Sequence, residues 1–478
     1  MLFNSIEFLI FLPIVFFLYW FVLNKNLRLQ NTLLLVSSYI FYGWWDWRFL
    51  PMMFATTLID YFVGLGLQKL QDEKRRKLLL GISVVLNLGL LAFFKYFNFF
   101  IDSFVTAFTL LGKPIEITTL RIILPVGISF YTFQTMSYAI DVYKRKLEPT
   151  KDIVSFFTFV SFFPQLVAGP IERATNLLPQ FYKKRTFEFD KAVDGMRQML
   201  WGLFKKIVIA DKCAPFVSDI FADYTHFSGS TLLLGAILFT IQLYCDFSGY
   251  SDIAIGSARL FGFRLMQNFA FPFFSRTMPE LWTRWHISLT SWFQDYVYFP
   301  LGGSRNGKWK KVRNIFIVFL LSGLWHGANW TYIFWGFVFA LYLLPSLLSD
   351  SRAVMTKTVA EGKIFPTFKE FFQVLGTFMK VVLITIFFRV KNIHEGFEYV
   401  RIMFSKSILH FPEVYPVKTF IFIAFFFIAE WLQREKQHAL EIDKYKIPKV
   451  VRWSFYYCLI IIIVFYGGNQ QEFIYFQF

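Results

Sequence analysis

The chain is poor in charge and nearly without cysteine. Asp, Glu, Lys and Arg make up 17% of its 478 residues, against about a quarter in a soluble globular domain, while 56% are hydrophobic. That balance excludes a water-soluble domain and a disordered chain, and it makes lipid the solvent. Cys213, Cys245 and Cys458 lie far apart, form no C-x-x-C pair and sit in or beside apolar stretches. Neither a disulfide framework nor a thiolate metal site is therefore supported, and the three are expected to be packing residues. There is no internal repeat and no low-complexity linker, so the inverted-repeat signature of secondary transporters is missing. No basic leader precedes the first apolar stretch, Phe8–Val22, and no small-residue cleavage site follows it. It is expected to be a retained helix.

Long apolar runs fill the rest. They fall at Phe8–Val22, Thr32–Trp45, Phe49–Leu67, Leu78–Phe100, Ile122–Val142, Ile153–Ala168, Thr231–Ala258, Ile315–Leu348, Phe371–Val390, Val417–Trp431 and Trp453–Phe465. A crossing needs about 20 mostly apolar residues, so the expected fold is all-α: a polytopic transmembrane bundle of about 10–12 helices with re-entrant and interfacial segments. One integral-membrane domain over residues 1–478 is expected, with a catalytic core at about 120–345. The net charge of +17 is carried by short loops between these runs, which reads as membrane orientation and not as a nucleic-acid surface. Lys69, Lys74, Arg75, Arg76 and Lys77 mark one cytoplasmic loop, and Lys144, Arg145, Lys146 and Lys151 mark another. Counting back puts Lys25 and Arg28 inside and the N-terminus outside, with Trp44-Trp45-Asp46-Trp47 at the outer interface, where indole rings prefer to sit.

The run at Ile153–Ala168 is too short to cross and is interrupted by Phe163-Pro164-Gln165-Leu166-Val167-Ala168-Gly169-Pro170. Broken backbone at membrane depth must be buried in protein or line a wet cavity, so a re-entrant segment is expected here.

Polar residues inside such a chain are the ones that need explaining, and three groups stand out. In Trp282–Tyr296 the residues Trp282, Trp285, His286, Leu289, Phe293 and Tyr296 recur at three- and four-residue steps, which predicts one amphipathic helix at the interface or against a polar cavity. For His286 a packed, hydrogen-bonded histidine and a functional one are both open. In Ser322-Gly323-Leu324-Trp325-His326-Gly327-Ala328-Asn329-Trp330, His326 falls about 17 Å into a hydrocarbon core of about 30 Å when counted from Ile315. An ionisable side chain at that depth is a functional candidate, and lipid surroundings favour the uncharged ring that accepts a proton. Its neighbouring glycines either let substrate approach the backbone or permit tight helix packing. No second His, Glu or Cys stands at metal-ligand spacing, so no metal is expected. In Cys245–Gly256, Ser248, Asp252 and Gly256 share a face and Asp246 lies beside them, forming either part of a site or a buried polar knot that fixes helix packing. The stretch is not G-x-S-x-G, which leaves a serine nucleophile unsupported. Asp60 and Asp141 are read as residues near helix ends with interfacial or structural and not catalytic roles, and His226, His394, His410 and His438 as loop or interfacial residues.

These stretches carry a resemblance. Phe41-Tyr42-Gly43-Trp44-Trp45 with Leu58-Ile59-Asp60-Tyr61, Leu124–Gln134, Phe162–Ile171, Asp246–Asp252, Arg284-Trp285-His286 with Tyr298–Gly303, Leu324–Ala328, and the final Ile474-Tyr475-Phe476-Gln477-Phe478 resemble the membrane-bound O-acyltransferase family, in its bacterial branch of alginate O-acetyltransferase membrane subunits. After Trp335-Gly336, where relatives often carry a further His-Gly, this chain has Phe339-Ala340. The resemblance implies that His326 is the catalytic histidine and His286 its second polar position, with Asp246, Ser248, Asp252, Arg284, Trp325 and Asn329 around the substrates. It implies no tightly bound cofactor and a co-substrate that is an acyl-CoA or acyl-carrier thioester; the basic run Arg305–Arg313 is open to two readings, attraction of a CoA-type donor's phosphates and membrane orientation alone. The expected acceptor is an extracytoplasmic polysaccharide such as alginate, the location the bacterial inner membrane, and a periplasmic acyltransferase subunit a further partner. The rivals are a lipid or glycan transporter that makes no bond, and acylation of a protein, lipid or teichoic-acid-type acceptor.

Overall fold

The computed structural model describes residues 1–113, 115, 120, 122–305, 307–349, 357–442, 447–467 and 471–474. Among these residues the regular structure is helical, with no strands. Six helical stretches are long and apolar enough to cross a membrane: Leu27–Lys69, Glu73–Leu110, Gly229–Leu260, Trp330–Leu348, Phe368–Arg389 and Lys449–Tyr466. The chain is a multi-pass membrane protein. It packs as two compact units, one of Met1–Ala192 with Ala258–Leu265, the other of Val193–Ser257 with Met266–Phe478. The expected core at about 120–345 draws residues from both.

In the first unit, Trp44, Trp45 and Trp47 are exposed at the turn between two helices, as interfacial indoles require. The interrupted run forms a nine-residue helix, Ile153–Ser161, then breaks at Phe162 before a single turn, Phe163–Leu166. Both pieces are buried apart from the first turn, which fits the expected non-crossing segment. Side chains satisfy the broken backbone. Ser38 Oγ accepts from Phe163 N at 3.0 Å, and the Phe159 carbonyl accepts from Gln134 Nε2 at 2.6 Å and Gln165 Nε2 at 2.9 Å. Asp60 departs from expectation, because it sits in the middle of Leu50–Lys69 and is fully buried. It accepts from Ser83 Oγ at 2.5 Å and Asn87 Nδ2 at 2.9 Å, a polar tie between neighbouring helices that hydrocarbon makes obligatory.

In the second unit the apolar run Ile315–Leu348 is not one element. It folds into a hairpin of two helices, Lys308–His326 and Trp330–Leu348, because Gly327 is extended and Asn329 caps the second helix by accepting from Thr331 N at 3.0 Å. Here the glycines serve packing. A Cβ on Gly323 would lie 2.2 Å from the Tyr332 carbonyl oxygen, and one on Gly336 would lie 2.2 Å from that of Phe319. The small residues bring the two backbones into contact, as they do generally in membrane bundles.

Replacing Gly323 by valine therefore forces the hairpin apart and is expected to cost about 1–3 kcal/mol, the usual penalty of overpacking. Thermal unfolding of the detergent-solubilised chain measures this, and an unchanged midpoint would contradict the close approach.

Candidate active site

An irregular segment organises the site in the second unit. Asn268 and Ala270 pair through their backbones with the chain around His286: Ile287 N donates to the Asn268 carbonyl at 2.9 Å, and Ala270 N to that of Arg284 at 2.9 Å. This pairing breaks the expected continuous helix Trp282–Tyr296 into Met278–Arg284 and Ile287–Phe293, with Trp285 and His286 between them. His286 takes a left-handed conformation, φ 45° and ψ 53°, uncommon for a side-chain-bearing residue and typical of functional turns. The amphipathic spacing remains, carried on two short helices instead of one.

Both histidines are buried, His286 at 1% exposure and His326 at 3%. His326 is the last residue of its helix, followed by the extended Gly327. The two imidazole centroids are 6.5 Å apart. Trp325 stands beside both, 5.9 Å from His286 and 5.0 Å from His326. Phe247 stands edge-on to His286 at 4.7 Å, while Trp335 and Phe388 flank His326 at 5.1 and 5.3 Å. The fold thus brings the two sequence-predicted histidines together and encloses them in aromatic rings.

Two cavities adjoin His326 and its helix. A larger one, about 440 Å³, follows one face of Lys308–His326 through Lys311, Ile315, Val318, Phe319 and Ser322. Thr290, Gln294 and Tyr298 supply polar groups on its other wall. A small one, about 20 Å³, touches His326 itself and is walled by Trp335, Phe339, Val381 and Phe388. Trp282 lines both. Phe339, at the position where the resemblance noted a departure, packs against Trp282 at 5.0 Å and Trp335 at 4.7 Å.

The other expected site residues are placed differently. Asp246 and Asp252 meet two adjacent buried lysines. Lys206 Nζ lies 2.7 Å from Asp246 and 2.8 Å from Asp211, and Lys205 Nζ lies 2.7 Å from Asp252 and 2.9 Å from Ser248 Oγ. Gln198 Nε2 donates to Asp252 at 2.7 Å. The chain near its C-terminus joins in, with Ile474 N donating to Asp246 at 2.7 Å and Lys206 Nζ to the Gln471 carbonyl at 3.2 Å. Tyr475 to Phe478, the rest of that resembling stretch, lie outside the described residues. The contacts of Asp246, Ser248 and Asp252 thus run into one buried polar knot with Lys205, Lys206 and Gln198. Arg284 pairs with the buried Glu280 at 3.1 Å, and Asn329 both caps its helix and donates to the Lys391 carbonyl at 2.9 Å. Cys213 and Cys245 are buried and Cys458 is exposed. Among the described residues no three His, Cys, Asp or Glu side chains are grouped to hold a metal ion.

Sequence reading passed over Asn268 and the Lys205-Lys206 pair. The lysines were legible in principle: two charges inside the run Trp201–Ala210 require buried carboxylates opposite them. Asn268 carried no signal, since an asparagine in an irregular segment is ordinary.

Residues 149–389 match the sequence profile of MBOAT, the membrane-bound O-acyltransferase family. The chain is similar to the probable alginate O-acetylase AlgI of Pseudomonas putida, with 42% identity over 85% of this chain and 80% of that protein. It is also similar to the peptidoglycan O-acetyltransferase of Helicobacter pylori, with 35% identity over 83% of this chain and 78% of that protein. A teichoic acid D-alanyltransferase of Bacillus subtilis is 30% identical over 46% of this chain and 58% of that protein.

Removing one partner from a buried ion pair leaves an uncompensated charge, at a cost of about 3–5 kcal/mol. Lys206→Met is accordingly expected to lower the thermal midpoint and the yield of folded protein, with Lys206→Met/Asp246→Asn recovering part of the loss. Scanning calorimetry or fluorescence unfolding in detergent tests this. A single variant as stable as the wild type would show that the knot contributes nothing to folding.

Proposed function

Because the chain belongs to the membrane-bound O-acyltransferase family, we propose that it moves an acetyl or similarly short acyl group from a cytoplasmic thioester, across the bacterial inner membrane, to hydroxyl groups of an extracytoplasmic polysaccharide. It is an O-acyltransferase, which removes the transporter alternative. The observation that carries the finer reading is the pair of buried imidazoles 6.5 Å apart, brought from separate elements into one aromatic enclosure.

In this reading His326 takes the proton from an acceptor hydroxyl as its oxygen attacks the thioester carbonyl carbon. A C–O bond forms, the C–S bond breaks, and the departing thiolate takes the proton from the imidazolium. The larger cavity suits the donor arm, because it runs along one helix face from Lys311, at the basic end, to Ser322, one turn before His326. An acyl-CoA and an acyl carrier protein both present such an arm. The small cavity suits the acyl group: about 20 Å³ holds little more than one small group, which favours acetyl. Alginate is the first acceptor to test, given relatives that share 42% identity and are named for it. Peptidoglycan is the second, given the Helicobacter relative. A periplasmic acyltransferase subunit would receive or complete the transfer.

Positioned general-base catalysis is worth about 10²–10⁴ in rate. Membranes carrying His326→Ala are therefore expected to move label from acetyl-CoA into polymer slower by about that factor than membranes carrying wild type, at equal protein level. Normal transfer by the variant would remove His326 as the base.

The cavity wall sets a second expectation. Val381→Ala enlarges the small cavity and should raise the ratio of propionyl to acetyl transfer about tenfold, in line with what one methylene is worth in an apolar pocket. An unchanged ratio in labelled propionyl-CoA and acetyl-CoA competition would place the acyl group elsewhere.

A further inference from the structure

We propose that Asn268 is a positioning residue that holds His286 in a single tautomer, and that His286 consequently grips a hydroxyl of the acceptor and not the acyl carbonyl. The inference deepens the proposed acyl transfer and rests on it.

Asn268 is fully buried and its amide has one workable orientation. Its Oδ1 receives the backbone N–H of Ser288 at 3.4 Å and the Ser288 hydroxyl at 2.9 Å, and its Nδ2 donates to Ser251 Oγ at 3.0 Å. A backbone N–H can only donate, which makes the atom facing it the amide oxygen. That same oxygen lies 3.1 Å from His286 Nδ1, so Nδ1 must carry the proton and donate. In the uncharged ring Nε2 is then the bare acceptor. Among the described residues Nε2 is buried and has no hydrogen-bond partner, and such a group in a native structure calls for an explanation, a ligand being one.

The chemistry follows from the lone pair. A bare Nε2 cannot donate to a thioester carbonyl or to the oxyanion that forms from it, so His286 in this tautomer does not polarise the acyl group. It can accept from an O–H. A sugar ring offers hydroxyls on adjacent carbons, so one can be held by His286 Nε2 while its neighbour gives its proton to His326. The ligand class of His286 is thus a polyol acceptor. The left-handed turn at His286, the Ile287 N–H bond to the Asn268 carbonyl and the edge of Phe247 hold the ring in place for it.

The test separates transfer from hydrolysis in membranes supplied with labelled acetyl-CoA. Label entering polymer and label released as acetate are both measured, each corrected by membranes carrying His326→Ala. Asn268→Leu and His286→Ala are each expected to lower polymer transfer roughly 10–100-fold, the scale of a lost orienting hydrogen bond, while His326-dependent acetate release persists. Asn268→Asp, which keeps an oxygen toward Nδ1, is expected to restore polymer transfer at least in part. The double variant Asn268→Leu/His286→Ala should be no worse than His286→Ala alone, because the two residues act as one unit. Should the leucine variant not accumulate, Asn268→Ser, too short to reach Nδ1, runs the same cycle. Acetate release that falls together with polymer transfer would put His286 on the acyl carbonyl and overturn the inference, as would losses that multiply in the double variant. If His326→Ala changes neither readout, the proposed acyl transfer fails first and this inference with it.

Discussion

Two lysines side by side in an apolar run are the constraint on which the second unit is built. Lys205 and Lys206 are buried in a medium that cannot solvate them, so Asp252, Asp246 and Asp211 must be brought to them. Those contacts fix how Gly229–Leu260 sits against the lysine-bearing segment, and Gly202 and Gly249 let the two backbones touch, each Cβ position lying within 3 Å of the other residue's carbonyl oxygen. With that helix set, its remaining side chains are aimed. Phe247 lies against His286, and Ser251 takes the amide of Asn268. The ion pairs stand away from the histidines in their contacts, yet they position the elements that hold one of them.

The enclosure around the two imidazoles is built almost wholly from rings. Aromatic walls exclude water and strengthen any hydrogen bond made inside, and they also oblige each polar atom there to have a purpose. Asn268 satisfies its share by serving Ser251, Ser288 and His286 at once. The larger cavity carries Thr290, Gln294 and Tyr298 among its lining residues and shares Trp282 with the small cavity at His326.

Much of the fold was legible because hydrocarbon imposes simple rules. Length and apolarity mark crossings, basic loops and exposed indoles mark their ends, and a proline-broken run too short to cross was readable as Ile153–Leu166. The hairpin within Ile315–Leu348 was harder, since its turn rests on one extended glycine and one capping asparagine inside an unbroken apolar signal. The division of Trp282–Tyr296 into two helices was not legible at all, because periodicity survives the break and the cause, backbone pairing with Asn268 and Ala270, comes from an irregular segment upstream that carries no pattern of its own.

The sequence by itself determined that this chain lives in lipid, that it is helical, and that His286 and His326 are its conspicuous polar residues, since each of these follows from composition, period and the cost of a buried ionisable group. Only the tertiary structure decided what those residues meet. It paired Asp246 and Asp252 with lysines and gave Asn329 to a helix cap. It set the imidazoles 6.5 Å apart and turned His286 so that its tautomer is chosen by a neighbour. The physical reason is that a polar group inside an apolar bundle acquires its role from its partner, and partners are made by packing between segments that no local pattern connects.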